Sequence, residues 1–167
     1  MAQVRVDVYV RMLECARRET LAAANRLSSD KRFRQIAPGR ATPVWLLGHL
    51  ATSADAIILG WMLNRNGVVD PAFGMPFAPD FAGGKAPTTN PDDYPAWEEI
   101  LATYDRAMAN AIDAVRALED DALPTPLRGE FPEQFREFFS SIEATLGIIA
   151  SHDSYHRGQM VLLGTGA

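Results

Sequence analysis

The chain has 167 residues, 47% hydrophobic and 22% charged, a composition typical of one globular domain, which we expect over residues 1–167. Its net charge of −5 argues against a surface for nucleic acid or an anionic membrane. The single cysteine, Cys15, excludes an internal disulfide and is expected at a buried or boundary helix position. The N-terminus lacks the pattern of a secretory signal, and the longest apolar run, 56–63, is too short for a membrane span. We therefore expect a soluble, cytoplasmic protein.

The first two predicted helices are marked by apolar residues that recur at spacings of three and four. The first is predicted over residues 3–27, with its charged residues off the apolar seam. The second begins at Pro43, because Thr42 is a good cap and proline suits the first helical position. It ends at Asn66-Gly67, and His49 lies beside its apolar seam.

Two connections separate the predicted helices in this half of the chain. The segment 28–40 is polar and basic and is broken by Pro38-Gly39. The segment 67–95 is rich in proline and glycine, yet it is too apolar for a disordered linker. It is predicted to be an ordered loop that either forms a substrate lid or only covers the helices. Its large apolar residues are Phe73, Met75, Phe77 and Phe81.

The second half of the chain predicts two further helices. The third begins at Asn90-Pro91 or at Pro95 and continues to Leu118, with apolar residues four and three apart. The last is predicted over residues 132–163, with a break at Ser140-Ser141 as the alternative. No segment alternates like a strand. Four long amphipathic helices predict an all-α four-helix bundle, with a connection between helices two and three long enough to cross it.

All three histidines of the chain fall in predicted helices. His152 and His156 are four residues apart, so their side chains share one helix face about one turn apart. Two such imidazoles can converge on one metal ion, and His49 from the second helix is the candidate third ligand. An isolated histidine on an apolar face is more often an ordinary core residue. The H-x3-H spacing and the absence of any other histidine favour the metal site.

Three imidazoles leave at least one coordination position open, as in catalytic rather than structural zinc sites. Such a position can polarise a bound group or lower the pKa of bound water or thiol. Zinc, nickel and iron all accept imidazole, and the sequence does not distinguish them. The chain has no Glu-x-x-His pair for a di-iron bundle and no His-Glu-x-x-His of a zinc protease.

The segment His-Asp-Ser-Tyr-His-Arg-Gly-Gln-Met at 152–160 resembles the closing motif of the DinB/YfiT-like superfamily, in which H-x3-H-R-G-Q is typical. Gly-His-Leu at 48–50 resembles the first metal ligand of that family. The resemblance implies a DinB-type four-helix bundle, often a homodimer, with one divalent ion held by His49, His152 and His156. It also implies an ion pair for Arg157 and close helix packing at Gly158.

Known activities of the family involve low-molecular-weight thiols, as in bacillithiol transferases and mycothiol-dependent maleylpyruvate isomerases. The resemblance therefore implies a metal-dependent transferase that uses a thiol co-substrate and a small-molecule electrophile. The alternatives are a hydrolase that uses metal-bound water and a metal-stabilised dimer without catalytic activity. The residues themselves do not identify the thiol, the electrophile or a catalytic side chain.

Overall fold

The computed structural model describes residues 4–79 and 82–165, and these are folded as helices and connecting turns without a β-strand. Four long helices carry the fold: α1 (Val4–Asn25), α2 (Pro43–Ala54), α4 (Trp97–Arg116) and α5 (Ile142–Thr165). A short helix, α3 (Pro71–Gly74), lies in the long connection after α2. The all-helical prediction is therefore confirmed for the described residues.

The long helices enclose one apolar core to which all four contribute buried side chains. Helix α1 packs against α4 and α5, and α2 packs against the same two helices from the other side. Arg5 at the start of α1 is paired with Glu143 at the start of α5, so these two helices run in the same direction. The Arg32 carbonyl accepts from the N–H of Val44 in the first turn of α2, and its guanidinium lies over Trp97 at the start of α4, so α2 and α4 begin at the same end.

Helix α2 begins where local sequence signals place it. The Thr42 hydroxyl accepts a hydrogen bond from the Trp45 backbone N–H at 3.2 Å, and Pro43 occupies the first turn. The α-helix changes to a π-helix over Asp55–Met62, which the sequence did not predict. Two backbone N–H groups of the segment after α4, those of Arg128 and Gly129, bond to carbonyls at its end. The end of the π-helix is therefore stabilised by hydrogen bonds from another segment of the chain.

Helix α5 is shorter than predicted, and the start at residue 132 is wrong. The chain forms only a 3-10 turn at Glu133–Phe135 before α5 begins at Ile142, so the alternative break at Ser140-Ser141 is the better prediction. The Ser141 hydroxyl accepts from the Ala144 N–H at 3.1 Å. The N–H groups of Ile142 and Glu143 bond to carbonyls of the segment after α4. These contacts satisfy the N-terminal donors and set the helix start.

The connection after the π-helix is anchored by a buried carboxylate. Asp55 is 6% exposed and accepts backbone hydrogen bonds from Val68 at 2.7 Å and Val69 at 3.3 Å. Phe73 and Phe77 are buried, whereas Met75 is 70% exposed, so only part of this apolar segment covers the core. Phe81 lies outside the described residues.

One helical stretch, Pro43–Met62, is long and apolar enough to cross a membrane by length and composition alone. In this fold 67% of its most apolar window is buried against the other helices, as is usual for a core helix. Cys15, in contrast, is exposed on α1, so the prediction of a buried or boundary cysteine is wrong.

Candidate metal centre

Helix α2 supplies one buried histidine, His49, which is 8% exposed. Its ring stacks on Trp45, one turn earlier, with centroids 4.7 Å apart and an angle of 11° between the planes. Its Nδ1 lies 3.2 Å from the carbonyl oxygen of Phe77. Because a carbonyl only accepts, Nδ1 carries the proton and donates it, which leaves a lone pair on Nε2.

Helix α5 supplies His152 and His156 on one face. The Nδ1 of His156 donates to the Gln159 side-chain oxygen at 2.7 Å, and the Gln159 amide donates to the Tyr155 hydroxyl at 3.1 Å. This arrangement again places the ring proton on Nδ1 and leaves the lone pair on Nε2. Gln159 and the Phe77 carbonyl are therefore outer partners that orient two of the three imidazoles.

The three rings meet at their Nε2 atoms. The Nε2 of His152 lies 3.2 Å from that of His49 and 3.0 Å from that of His156. Two imidazole nitrogens on one ion at the usual bond length lie ~3.0 Å apart at a right angle and ~3.4 Å apart in a tetrahedron. The distances thus fit one divalent ion, and the described residues contain this one cluster of three potential ligands. These distances are equally compatible with zinc, nickel and iron.

The surroundings keep all three rings neutral near physiological pH. Burial, with repulsion from His156, lowers the pKa of His49 to about 4. Burial, with repulsion from both neighbouring rings, lowers the pKa of His152 to about 3. Burial also lowers the pKa of His156, although Gln159 opposes that shift. Metal ligation requires neutral imidazole, so protons compete weakly for these nitrogens.

A buried carboxylate, Asp153, fixes the rotation of α5 between the two histidines. It is 2% exposed and accepts hydrogen bonds from Thr20 on α1 at 2.6 Å and from Tyr104 on α4 at 2.7 Å. Burial raises its pKa, and these two hydroxyls oppose the shift. Asp153 points toward α1 and α4, and His152 and His156 both lie to one side of it around the helix, at roughly 100° and 60°, so their rings face His49 on α2.

A cavity of about 440 Å³ opens beside His156. His156, Gln159 and Tyr155 form one side of it, and the segment 36–41 before α2 forms another. Its volume is in the range of small-molecule sites. Of the three histidines only His156 lines this cavity, so a small ligand in it would lie next to one ring of the cluster.

The structure brings together all three histidines selected from the sequence. The sequence did not single out the Phe77 carbonyl, whose contact depends on how the long connection folds back. Phe77 also packs against Gly48, where an added Cβ would lie 2.3 Å from its ring. The loop thus covers the core and touches the site, while the cavity beside His156 is lined by the earlier connection.

Two expectations for the motif residues are wrong. Nothing lies within 4 Å of a Cβ built on Gly158, so this glycine does not permit close helix packing. Arg157 forms no ion pair with any carboxylate of the described chain.

The helical fold and the histidine cluster define a helical protein with a site that can hold one metal ion. None of the curated proteins compared with the chain matches it. The model of the DinB superfamily matches residues 12–160, and the chain belongs to that superfamily.

Proposed function

We propose that this chain is a metal-dependent enzyme that transfers a low-molecular-weight thiol to a small electrophile. The observation that carries the proposal is the convergence of three imidazole Nε2 atoms, with one of the rings, His156, lining a cavity. His49, His152 and His156 would hold one divalent ion, and the outer partners of His49 and His156 would keep their tautomers fixed. When bound, the ion supplies positive charge that favours a thiolate at neutral pH.

In the transfer, the thiol loses its proton to solvent and its sulfur forms a bond to an electrophilic carbon. The bond to the leaving group breaks, and the electron pair departs with that group. In this step the protein orients the imidazoles. It also excludes water on the buried side of the cluster, where His49 is stacked on Trp45. The cavity lined by His156 would admit the reactants.

The metal site is tested by metal analysis of the purified protein and of three single variants, His49→Ala, His152→Ala and His156→Ala. The expected result is about one ion per wild-type chain and sharply weaker binding in each variant. Asp105→Ala, at a half-buried ion pair on α4, is the matched control and should keep full metal content. Wild-type stoichiometry in all three histidine variants would refute the site.

The reaction class is tested by a panel of thiols and electrophiles with the metal-loaded protein. A transferase consumes thiol and electrophile together and stops when the metal is removed. Turnover without any thiol identifies a hydrolase instead. No metal-dependent loss of either reactant across the panel identifies a metal-stabilised protein without activity.

We also propose that residues 1–167 form one DinB-type four-helix bundle with a crossover connection between α2 and α4, and that two copies form a homodimer. The common core of the four helices supports a single domain. Val4, Val8 and Met12 repeat every four residues on α1 and are 63%, 51% and 41% exposed, which supplies an apolar contact surface. Sedimentation should show a dimer at micromolar concentration and a monomer for Val8→Glu. A monomeric wild type contradicts the dimer.

A further inference from the structure

The cavity beside His156 has one cationic side chain, Arg40, and none of the described residues that line it is acidic. This is notable because the whole chain has a formal net charge of −5. The guanidinium of Arg40 has no hydrogen bond or ion pair with any described residue, and only its backbone carbonyl is used, by Gln35. A free guanidinium in a cavity without a lining carboxylate leaves a place for an anion.

The backbone holds Arg40 in place through a tight turn. Its N–H donates to the Ala37 carbonyl at 3.1 Å, with Pro38 and Gly39 at the two central positions. Gly39 has φ +74°, the value that a type II turn requires at its third residue. The Gln35 side-chain amide then donates to the carbonyls of Arg40 at 2.6 Å and Pro87 at 2.9 Å. The cation is therefore presented by an ordered turn.

The connection 28–40, which carries Arg40, is also bonded to the end of α5, the opposite wall of the cavity. The Lys31 side chain in this connection donates a hydrogen bond to the Gly164 carbonyl at 2.7 Å. Across the cavity, Ile36 and Leu162 are 81% and 73% exposed and provide apolar walls. The cavity thus combines a cation, apolar walls and an imidazole of the histidine cluster within about 440 Å³.

We infer that this cavity is the substrate pocket and that Arg40 binds the carboxylate of a small organic anion whose thiol reaches the histidine cluster. The inference rests on the proposed function for the identity of the reacting group. The carboxylate preference rests on Arg40 alone. A guanidinium matches a carboxylate in charge and in planar, two-pronged geometry, so a neutral analogue of equal size should bind less well.

The test compares 3-mercaptopropionate with its neutral amide, 3-mercaptopropanamide, by calorimetry on zinc-loaded protein. Wild type should prefer the carboxylate, and Arg40→Gln should weaken its binding about fivefold to tenfold while leaving the amide within about twofold. Arg40→Lys should keep part of the preference. Arg11→Gln is the matched control, because it removes the same charge from an exposed position of α1 outside the cavity and should change neither affinity.

Three results would overturn the inference: no preference in wild type, equal weakening of both probes by Arg40→Gln, or equal effects of Arg40→Gln and Arg11→Gln. The proposed function is scored separately by zinc content. Ligand-observed NMR with butyrate and butanamide, which lack sulfur, repeats the comparison on zinc-free protein. If zinc does not bind, the proposed metal site fails, and the carboxylate preference of the zinc-free protein still decides the role of Arg40.

Discussion

Gly48, immediately before the buried histidine of α2, gives the sharpest test of how packing supports the site. An added Cβ at Gly48 would lie 2.3, 2.4 and 2.5 Å from three atoms of the Phe77 ring, about 1 Å closer than ordinary contact. Phe77 is fully buried, so the ring cannot move aside without exposing apolar surface. Gly48→Ala should therefore disturb both the core and the carbonyl that orients His49.

The expected magnitude follows from two opposing effects. Alanine in a helix interior is favoured over glycine by about 1 kcal/mol, whereas overpacking a core costs about 1–3 kcal/mol. Gly147→Ala on α5 is the matched control, because nothing lies within 4 Å of its added Cβ. We expect Gly48→Ala to lower the free energy of unfolding by about 1 kcal/mol and Gly147→Ala to raise it by about 0.5–1 kcal/mol.

Urea denaturation of the metal-free proteins measures both values, and competition with a chelator measures metal affinity. Displacing the Phe77 carbonyl removes the outer partner of His49, which should weaken metal binding about tenfold in Gly48→Ala and leave Gly147→Ala unchanged. If Gly48→Ala is as stable as Gly147→Ala and binds metal as tightly as wild type, the close contact with Phe77 does not support the site.

Two further predictions concern buried titratable groups. Asp153→Ala leaves two buried hydroxyls without their acceptor and should lower the free energy of unfolding by about 3 kcal/mol in urea denaturation. Asp105→Ala, at a half-buried ion pair that water still reaches, should lower it by about 1 kcal/mol or less. Equal losses would contradict the role of Asp153. The folded-state pKa values of His49 and His152, about 4 and about 3, lie below the unfolded value of 6.5, so the unfolded chain binds protons first as the pH falls. Metal-free protein should therefore be most stable above pH 6.5 and lose about 1.4 kcal/mol per pH unit for each histidine as the pH falls toward 4, and a flat profile in urea denaturation would contradict this.

The sequence predicts most reliably the features that neighbouring residues determine, such as helix starts and shared helix faces. Thr42 and Pro43 mark the start of α2 by themselves, and the spacing of His152 and His156 places them on one face whatever the rest of the chain does. The predicted start of α5 at residue 132 is wrong because the first N–H groups of the helix bond to the carbonyls of Leu123 and Thr125, a contact that exists only once the chain has folded back.

In the site too, local spacing predicts some features, and contacts between distant parts of the chain determine the others. Helical spacing explains why two imidazoles converge, but no local signal gives the 3.2 Å between His49 and His152. In the sequence, the Pro38-Gly39 dipeptide indicates only that the chain turns there. Its turn places the guanidinium of Arg40 beside a cavity whose other wall is more than one hundred residues away in the sequence.

The separation of the histidines along the chain has a kinetic consequence. His49 and His152 are 103 residues apart, and the second and last long helices must both be docked before their nitrogens meet. Because closing so long a loop costs conformational entropy, we expect these contacts to form after the folding transition state. An ion bound there would stabilise the native state more than the transition state. The ion should therefore leave the refolding rate nearly unchanged. It should raise the free-energy barrier to unfolding by most of its binding free energy.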